Sequence, residues 1–275
     1  MTKLAVHGAA GRMGRQLLAA IAERDEGQLC AAIDAPGQPS LGLDASVLSG
    51  GPPCDVKVVD ELASVLGDID VVIDFTSPSA SLKLLETLQG TAVRPVIGTT
   101  GFTPEQLQQL HDFAKTQAIM FAANYSIGLT LSLALMRDAA RSLGDDYDVE
   151  VIEAHHRNKV DAPSGTAVKI GEVLADALGR DLDEVAVYGR QGITGARDKK
   201  TIGFATVRAG DIIGEHTVLF AGNGERVEIT HRATDRMTFA RGAVRAAIWL
   251  ADQPPGLYDM SHVLGLASVD DQACA

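Results

Sequence analysis

Through the first 126 residues, short apolar runs alternate with stretches whose apolar residues recur every three or four positions. "KLAVHG" (3–8), "GQLCAAID" (27–34), "DIDVVIDFT" (68–76), "RPVIGTT" (94–100) and "AIMFAANYS" (118–126) read as strands. The run at 68–76 is strongly apolar, as in a strand covered on both faces. "GRMGRQLLAAIAERD" (11–25) places Met13, Leu17, Leu18 and Ile21 on one helical stripe. "SPSASLKLLETLQG" (77–90) predicts a helix stopped by Gly90. "TPEQLQQLHDFAK" (103–115) predicts another, with Thr103 as N-cap, Pro104 at the first position and Gln106 closing a capping box. The alternation of strand and helix predicts a parallel sheet with helices on both faces.

Beyond residue 127 the period changes. "SIGLTLSLALMRDAARSLG" (126–144) predicts a long helix, "DYDVEVIEAHH" (146–156) an alternating strand and "SGTAVKIGEVLADALG" (164–179) a helix. Three strands follow in "IGFATVRAGD" (202–211), "GEHTVLFAG" (214–222) and "ERVEITHRA" (225–233), the last two joined by a hairpin turn at Gly222-Asn223-Gly224. This helix-plus-sheet layer is a second domain. "DRMTFARGAVRAAIWLAD" (235–252) predicts a last helix; from Pro254 the chain is broken by Pro and Gly and predicts little.

Composition narrows the class. The 275 residues are 46% hydrophobic and 22% charged, enough for a soluble globular core in one large or two ordinary domains. A net charge of -12 argues against a nucleic-acid partner. Cys30, Cys54 and Cys274 are too few and too scattered for a disulfide framework or a metal site, which predicts a reducing, cytoplasmic setting. No apolar run reaches membrane-spanning length, and "MTKLAVHGAAGRMG" enters a strand and glycine loop directly, so no signal peptide is expected.

"GAAGRMG" sets Gly8, Gly11 and Gly14 between a predicted strand and helix. The spacing is G-x-x-G-x-x-G, with Ala10 where the usual dinucleotide fingerprint has glycine. The physics survives: one glycine makes the tight turn, and another lets the backbone approach a pyrophosphate resting on the helix N-terminus. Asp34 ends the second strand, twenty residues past Gly14, where an acid can bond a ribose 2′-hydroxyl. Ala35 and Pro36 follow it rather than an arginine that would accept a 2′-phosphate, so NADH is expected over NADPH. Arg12 keeps NADPH use open. "GTTGF" (98–102) and "AANYS" (122–126) close two more strands, where ligands of such sheets bind.

The second candidate site is "EAHHRNKVDAPSGTA" (153–167). His155, His156, Arg157 and Lys159 follow a strand, and Ser164 caps a helix whose Gly165 and Thr166 offer N–H groups to an anion. Cations beside a helix start suit a small substrate carrying carboxylates; histidine and lysine can move protons. The sequence has no H-E-x-x-H and no G-x-S-x-G, and Leu129 stands four residues after Tyr125 where a Tyr-x-x-x-Lys dyad needs lysine. No metal is expected. His7, His111, His216, His231 and His262 stand alone and read as structural.

"GAAGRMGR", "DFTSP", "IGTTGF", "AANYSIG", "EAHHRNKVDAPSGTA" and "HRATDRMTFARGAVRAAIWL" together resemble the 4-hydroxy-tetrahydrodipicolinate reductases (dihydrodipicolinate reductases) of the diaminopimelate route to lysine, over nearly the whole chain. The resemblance implies an α/β fold. A Rossmann-type parallel-sheet, dinucleotide-binding domain (1–126 and 237–275) would join an α+β domain with a mixed sheet for substrate binding and tetramerisation (127–236). It implies NAD(P)H-dependent transfer of hydride to C4 of a cyclic imine dicarboxylate with loss of water, in a cytoplasmic homotetramer that closes by a hinge. His155 is implied as acid/base and Lys159 as proton donor; His156, Gly165 and Thr166 are implied as substrate contacts. Gly8, Ala9, Ala10, Gly11, Arg12, Met13, Asp34, Gly98, Thr99, Thr100, Ala122, Ala123, Asn124 and Tyr125 are implied as cofactor contacts, with Arg236 and Phe239 approaching the cofactor as well. The family's usual Glu-Arg after the second strand is Asp34-Ala35 here, which puts NADP affinity in doubt. Two other readings stay open: a reductase of another small carboxylate, and a non-catalytic dinucleotide sensor.

Overall fold

The computed structural model describes residues 1–266, so Cys274 and the end of the expected first domain lie outside the described residues. The chain forms two compact units, Met1–Ile127 with the chain from Met237 on, and Gly128–Arg236. Among the described residues no helix is long and apolar enough to cross a membrane.

In the first unit β1 (Thr2–His7), α1 (Arg12–Ala22), β2 (Gly27–Ile33), the short α2 (Ala45–Ser49) and β3 (Val58–Val59) lead through a 3-10 turn (Leu62–Asp68). β4 (Val71–Asp74), α3 (Pro78–Leu88), β5 (Arg94–Ile97), α4 (Pro104–Ala114) and β6 (Ala118–Phe121) follow. Alternation along the strands sorts side chains into two cores. Leu4, Val6, Val71, Ile73, Val96 and Met120 face one side; Ala5, Val72, Ile97 and Ile119 face the other. The second face is closed by Leu84, Leu85 and Leu88 of α3 and by Leu110 and Phe113 of α4. Both halves of the Thr103–Gln106 capping box form, at 2.9 and 3.3 Å, which supports α4 by about 1 kcal/mol.

The second unit holds α5, which begins at Ile127 and ends at Leu143, β7 (Asp148–His155), α6 (Gly165–Ala177), α7 (Leu182–Val185), β8 (Ala186–Tyr188), β9 (Ile202–Arg208), β10 (Gly214–Ala221) and β11 (Arg226–Ala233). Its five-stranded sheet runs β11-β10-β7-β9-β8. β10 is antiparallel to both neighbours, and β7, β9 and β8 are mutually parallel, so the sheet is mixed. Val149, Val151, Ile202, Phe204, Val218 and Phe220 bury one face under α5 and α6. The hairpin turn closes through the Gly222 N–H to the Glu225 carbonyl, 3.0 Å.

The chain then returns as α8 (Met237–Leu250), β12 (Gly256–Tyr258) and α9 (Met260–Val263). Buried Ala240, Ala243, Ala246 and Ala247 let α8 lie close on the first sheet's other face. The seven strands, all parallel, are ordered β12-β6-β5-β4-β1-β2-β3. β12 lies in the stretch that predicted little: three residues add to the β6 edge, and Tyr258 is buried with its hydroxyl donating to the Pro254 carbonyl at 3.0 Å. β3 and β8 also went unpredicted. Runs of two or three residues carry too little periodicity to be seen without the neighbouring strand.

Candidate active site

The strand order reverses at β1, with β2 on one side and β4 on the other. The loop after β1 therefore opens at a switch point, where ligands of such sheets bind. Gly8 has φ +75, a conformation that L side chains rarely adopt. At Gly14 a Cβ would stand 2.2 Å from the Gly8 carbonyl oxygen, so only glycine lets α1 pack this tightly on the loop. Gly11 caps α1 without a side-chain bond, which leaves the helix start to backbone N–H groups. Arg12 and Met13 are the first two helical residues, and Ala9 is buried beneath them. Asp34 is tied to this loop: it accepts from the Ala10 N–H at 2.9 Å, the Ala35 N–H at 2.8 Å and the Ser40 hydroxyl at 3.4 Å. These bonds hold the carboxylate in place from both sides. This cradle of small residues, open amides and a fixed carboxylate fits a dinucleotide.

The other predicted cofactor residues divide. Gly98 and Thr100 follow β5 in open loop, while Thr99 is buried. The Thr99 hydroxyl accepts from the Thr76 N–H at 3.0 Å and donates to Asp74 at 3.2 Å. Asp74, fully buried, also accepts from His7 at 2.8 Å, Thr76 at 2.6 Å and Ser81. The cluster knits β1, β4, β5 and α3 under the loop, and it draws His7 into a paired role that its isolation in sequence concealed. Ala122 and Ala123 follow β6, and Asn124 caps the next turn by accepting from the Ser126 N–H at 2.8 Å. The Tyr125 ring is buried against Phe75, and its hydroxyl donates to the Ile97 carbonyl at 2.8 Å. Burial pushes that phenol well above its ordinary range. The side chains of Thr99 and Tyr125 thus face the core, and only their backbone is left for a ligand.

In the second unit the buried sheet face changes character along its length. Apolar Val149 and Val151 give way on the same face of β7 to Glu153 and His155. Arg208 sits beside His155 in register on β9, and Gly214 of β10 lies against the His155 ring. Glu153 is 1% exposed and accepts four hydrogen bonds: Arg208 Nη1 and Nη2 at 2.8 Å each, His155 Nδ1 at 2.6 Å and the Ser164 N–H at 3.1 Å. Burial would raise this carboxyl; the bonds from Arg208, His155 and Ser164 outweigh it and hold the group below its usual range. For His155, burial depresses the imidazole, against the opposing pull of Glu153. Lys159 pairs with Asp161 at 2.8 Å and retains 20% exposure. The Ser164 side chain takes the Ala167 N–H at 3.1 Å, so the N–H groups of Gly165 and Thr166 stay available for an anion.

His216 was expected to be structural. Its Nε2 lies 3.0 Å from the Ser164 hydroxyl, its ring centroid is 5.1 Å from that of His155, and burial lowers its pKa to about 4. His231 stands opposite it on β11. His156, Arg157, Asn158, Gly210, Asp211 and Arg236 line an open depression of about 570 Å³, which places Arg236 with the cationic stretch. The cluster also gathers Glu153, Arg208 and Gly214, to which the sequence assigns no role, and His216, to which it assigns a structural one. One signal was present: the alternation of "DVEVIEAHH" puts Glu153 two residues before His155 on the buried face, where a carboxylate needs partners. Nothing comparable pointed to Arg208 or His216, which arrive from distant strands.

Residues 2–125 match the family model described as "Dihydrodipicolinate reductase, N-terminus", and residues 128–264 match "Dihydrodipicolinate reductase, C-terminus". The chain belongs to the dihydrodipicolinate reductase family. A 4-hydroxy-tetrahydrodipicolinate reductase of Hahella chejuensis (strain KCTC 2396) is 55% identical over 266 residues, covering 97% of this chain and 100% of the relative. The dipicolinate-bound dihydrodipicolinate reductase from Paenisporosarcina sp. TG-14 superposes with a TM-score of 0.74 at 29% identity, over 94% of this chain and 97% of that one. An amine dehydrogenase from Mycobacterium smegmatis, at 15% identity and a TM-score of 0.59 over 94% of each chain, shares the fold alone. Membership in the dihydrodipicolinate reductase family makes this chain a reductase whose N-terminal part binds a nicotinamide dinucleotide.

Proposed function

We propose that this chain reduces 4-hydroxy-tetrahydrodipicolinate to tetrahydrodipicolinate on the diaminopimelate route to lysine. The balance is one substrate, one NAD(P)H and one proton in, and tetrahydrodipicolinate, NAD(P)+ and water out. When bound, the nicotinamide supplies the hydride that reaches C4 of the ring. The chain's own residues hold the dianion and manage the protons. Gly165 and Thr166 at the start of α6, with His156, bind carboxylate oxygens. Lys159 donates a proton, and His155 serves as acid/base through Nε2. The observation that carries this reading is the Glu153–His155 contact of 2.6 Å: a buried, paired histidine four residues before a lysine, beside an open helix start. A non-catalytic sensor has no use for that arrangement. The dicarboxylate class is supported by the dipicolinate-bound relative.

Cofactor contacts are assigned to Gly8, Ala9, Ala10, Gly11, Arg12, Met13 and Asp34, to Gly98, Thr99 and Thr100, and to the backbone of 122–125. Asp34, anionic at the ribose end and followed by Ala35, favours NADH, because a 2′-phosphate would meet a fixed carboxylate. The first unit is the dinucleotide-binding domain, and the second binds substrate and forms a homotetramer. The tetramer is supported by the outer face of the second sheet, where Ile152 and Val207 are 39% and 44% exposed beside the Thr217–Thr230 pair. A cytoplasmic location is part of the same proposal, supported by the free thiols of Cys30 and Cys54.

The deciding experiment follows NADH absorbance with enzymatically generated 4-hydroxy-tetrahydrodipicolinate, beside a panel of other small carboxylates. Turnover with this substrate is expected; turnover only with another acid overturns the reading. The same assay with NADPH compares kcat/KM, and a strong NADPH preference refutes the cofactor assignment. Light scattering in solution checks the tetramer.

A further inference from the structure

The Glu153 carboxylate ties together three separate parts of the second unit. It sits on β7 and receives both terminal nitrogens of Arg208 from β9, the imidazole of His155 two residues along, and the N-cap amide of α6. Arg208 also donates to the Asp161 carbonyl at 2.5 Å, so the guanidinium is held from two directions. An ionised carboxylate only accepts. The hydrogen on its 2.6 Å contact therefore belongs to His155 Nδ1, and the neutral ring carries its lone pair on Nε2. The Nε2 side is kept clear, because β10 presents a glycine there: a Cβ on Gly214 would come within 3.1 Å of it.

We propose that Glu153, clamped by Arg208, is a positioning residue: it fixes His155 with its proton on Nδ1 and presents Nε2 to the reacting ring. This rests on the reductase reading above and adds the device that makes His155 usable. Arg208 has its own part in it. A lone carboxylate beside His155 would favour the imidazolium, whereas a carboxylate neutralised by a bidentate arginine orients the ring without holding it charged. Among the described residues, the charged and titratable groups around His155 are Glu153 on its own strand, Arg208 on β9, His216 on β10 with His231 beyond it on β11, and Lys159 in the following loop with its partner Asp161. From α6, the neutral Ser164 cap completes the ring of neighbours.

A merely structural Glu153, pinning α6 to the sheet, would leave kcat and the His155 titration unmoved once the fold is kept. The two roles separate in 15N-histidine-labelled protein, where long-range 1H–15N spectra distinguish the tautomers and His155→Asn assigns the signal. The wild type is expected to show His155 protonated at Nδ1. Glu153→Gln, with an amide that can donate as well as accept, is expected to populate the Nε2–H form. It should lower kcat about 100-fold while KM moves by less than about threefold. The pH dependence adds a signed test: Glu153→Gln shifts the His155 titration down, Arg208→Gln shifts it up, and Arg208→Lys returns it toward the wild type. An unchanged tautomer in Glu153→Gln, or shifts of the same sign in the two variants, overturns the inference. Should Glu153→Gln fail to fold, the wild-type spectrum still decides, since an Nε2–H tautomer there overturns it. Wild-type protein with the Nδ1–H form but no turnover of 4-hydroxy-tetrahydrodipicolinate would sink the substrate reading alone.

Discussion

The glycine loop after β1 and the ionisable cluster at the end of β7 solve opposite problems. The loop offers backbone. Gly8 turns, Gly14 lets α1 close on the Gly8 carbonyl, and Asp34 is bonded to the Ala10 and Ala35 amides. The cluster offers side chains: Glu153, His155, Arg208 and His216 come from three strands and meet at the cap of α6. A backbone site depends on consecutive residues and shows in their spacing. A side-chain site depends on sheet register, which spacing does not reveal. The two should therefore fail differently. Damage to the loop should weaken cofactor binding, and damage to the cluster should slow turnover while the cofactor still binds.

Lys159→Ala should give the largest effect, a loss of kcat on the order of 10²–10⁴-fold with folding and NADH affinity preserved. Steady-state kinetics with circular dichroism checks it, and near-normal turnover removes Lys159 from the chemistry. Gly14→Ala should act on the other region. Its new Cβ collides with the Gly8 and Ala9 carbonyls, and the strain should cost about 1–3 kcal/mol or more. Thermal melting with and without NADH should show both a lower Tm and a weakened cofactor-induced rise.

The next expectation concerns pH and the cluster alone. His216 has a folded pKa of about 4 against an ordinary 6.5. As pH falls from 6.5 toward 4, the unfolded chain takes a proton that the folded protein refuses, so stability must fall across that window. The group accounts for up to about 3 kcal/mol, and the loss levels off below the folded pKa. Urea denaturation across that range should show the decline, and His216→Gln should flatten it. An identical slope in the variant would assign the decline elsewhere. The smallest effect sharpens the comparison. Gly214→Ala should crowd His155 Nε2 and lower kcat about tenfold, with NADH affinity unchanged. A change in NADH affinity instead would blur the division between the regions.

Legibility followed the same line. The α4 capping box, the loop glycines and the Gly222–Gly224 turn each depend on residues a few positions apart, and each was readable. β12 was not, because three residues become a strand only against the β6 edge. Thr99 and Tyr125 were expected to face a ligand, yet their side chains satisfy buried partners at Asp74 and Ile97. Which way a side chain points from a strand end depends on what is packed beneath it. His216 stood alone in the sequence because its partner Ser164 lies fifty-two residues away.

The sequence alone determined the two-part α/β plan, the dinucleotide loop and the cationic stretch ahead of a capped helix. All three are written in local period, turn chemistry and consecutive residue types. Only the tertiary structure decided that Glu153 meets Arg208, that His216 reaches Ser164, and that Gly214 leaves His155 Nε2 clear. Those contacts depend on which strands lie side by side and in what register, and that is set by burying the whole sheet face at once.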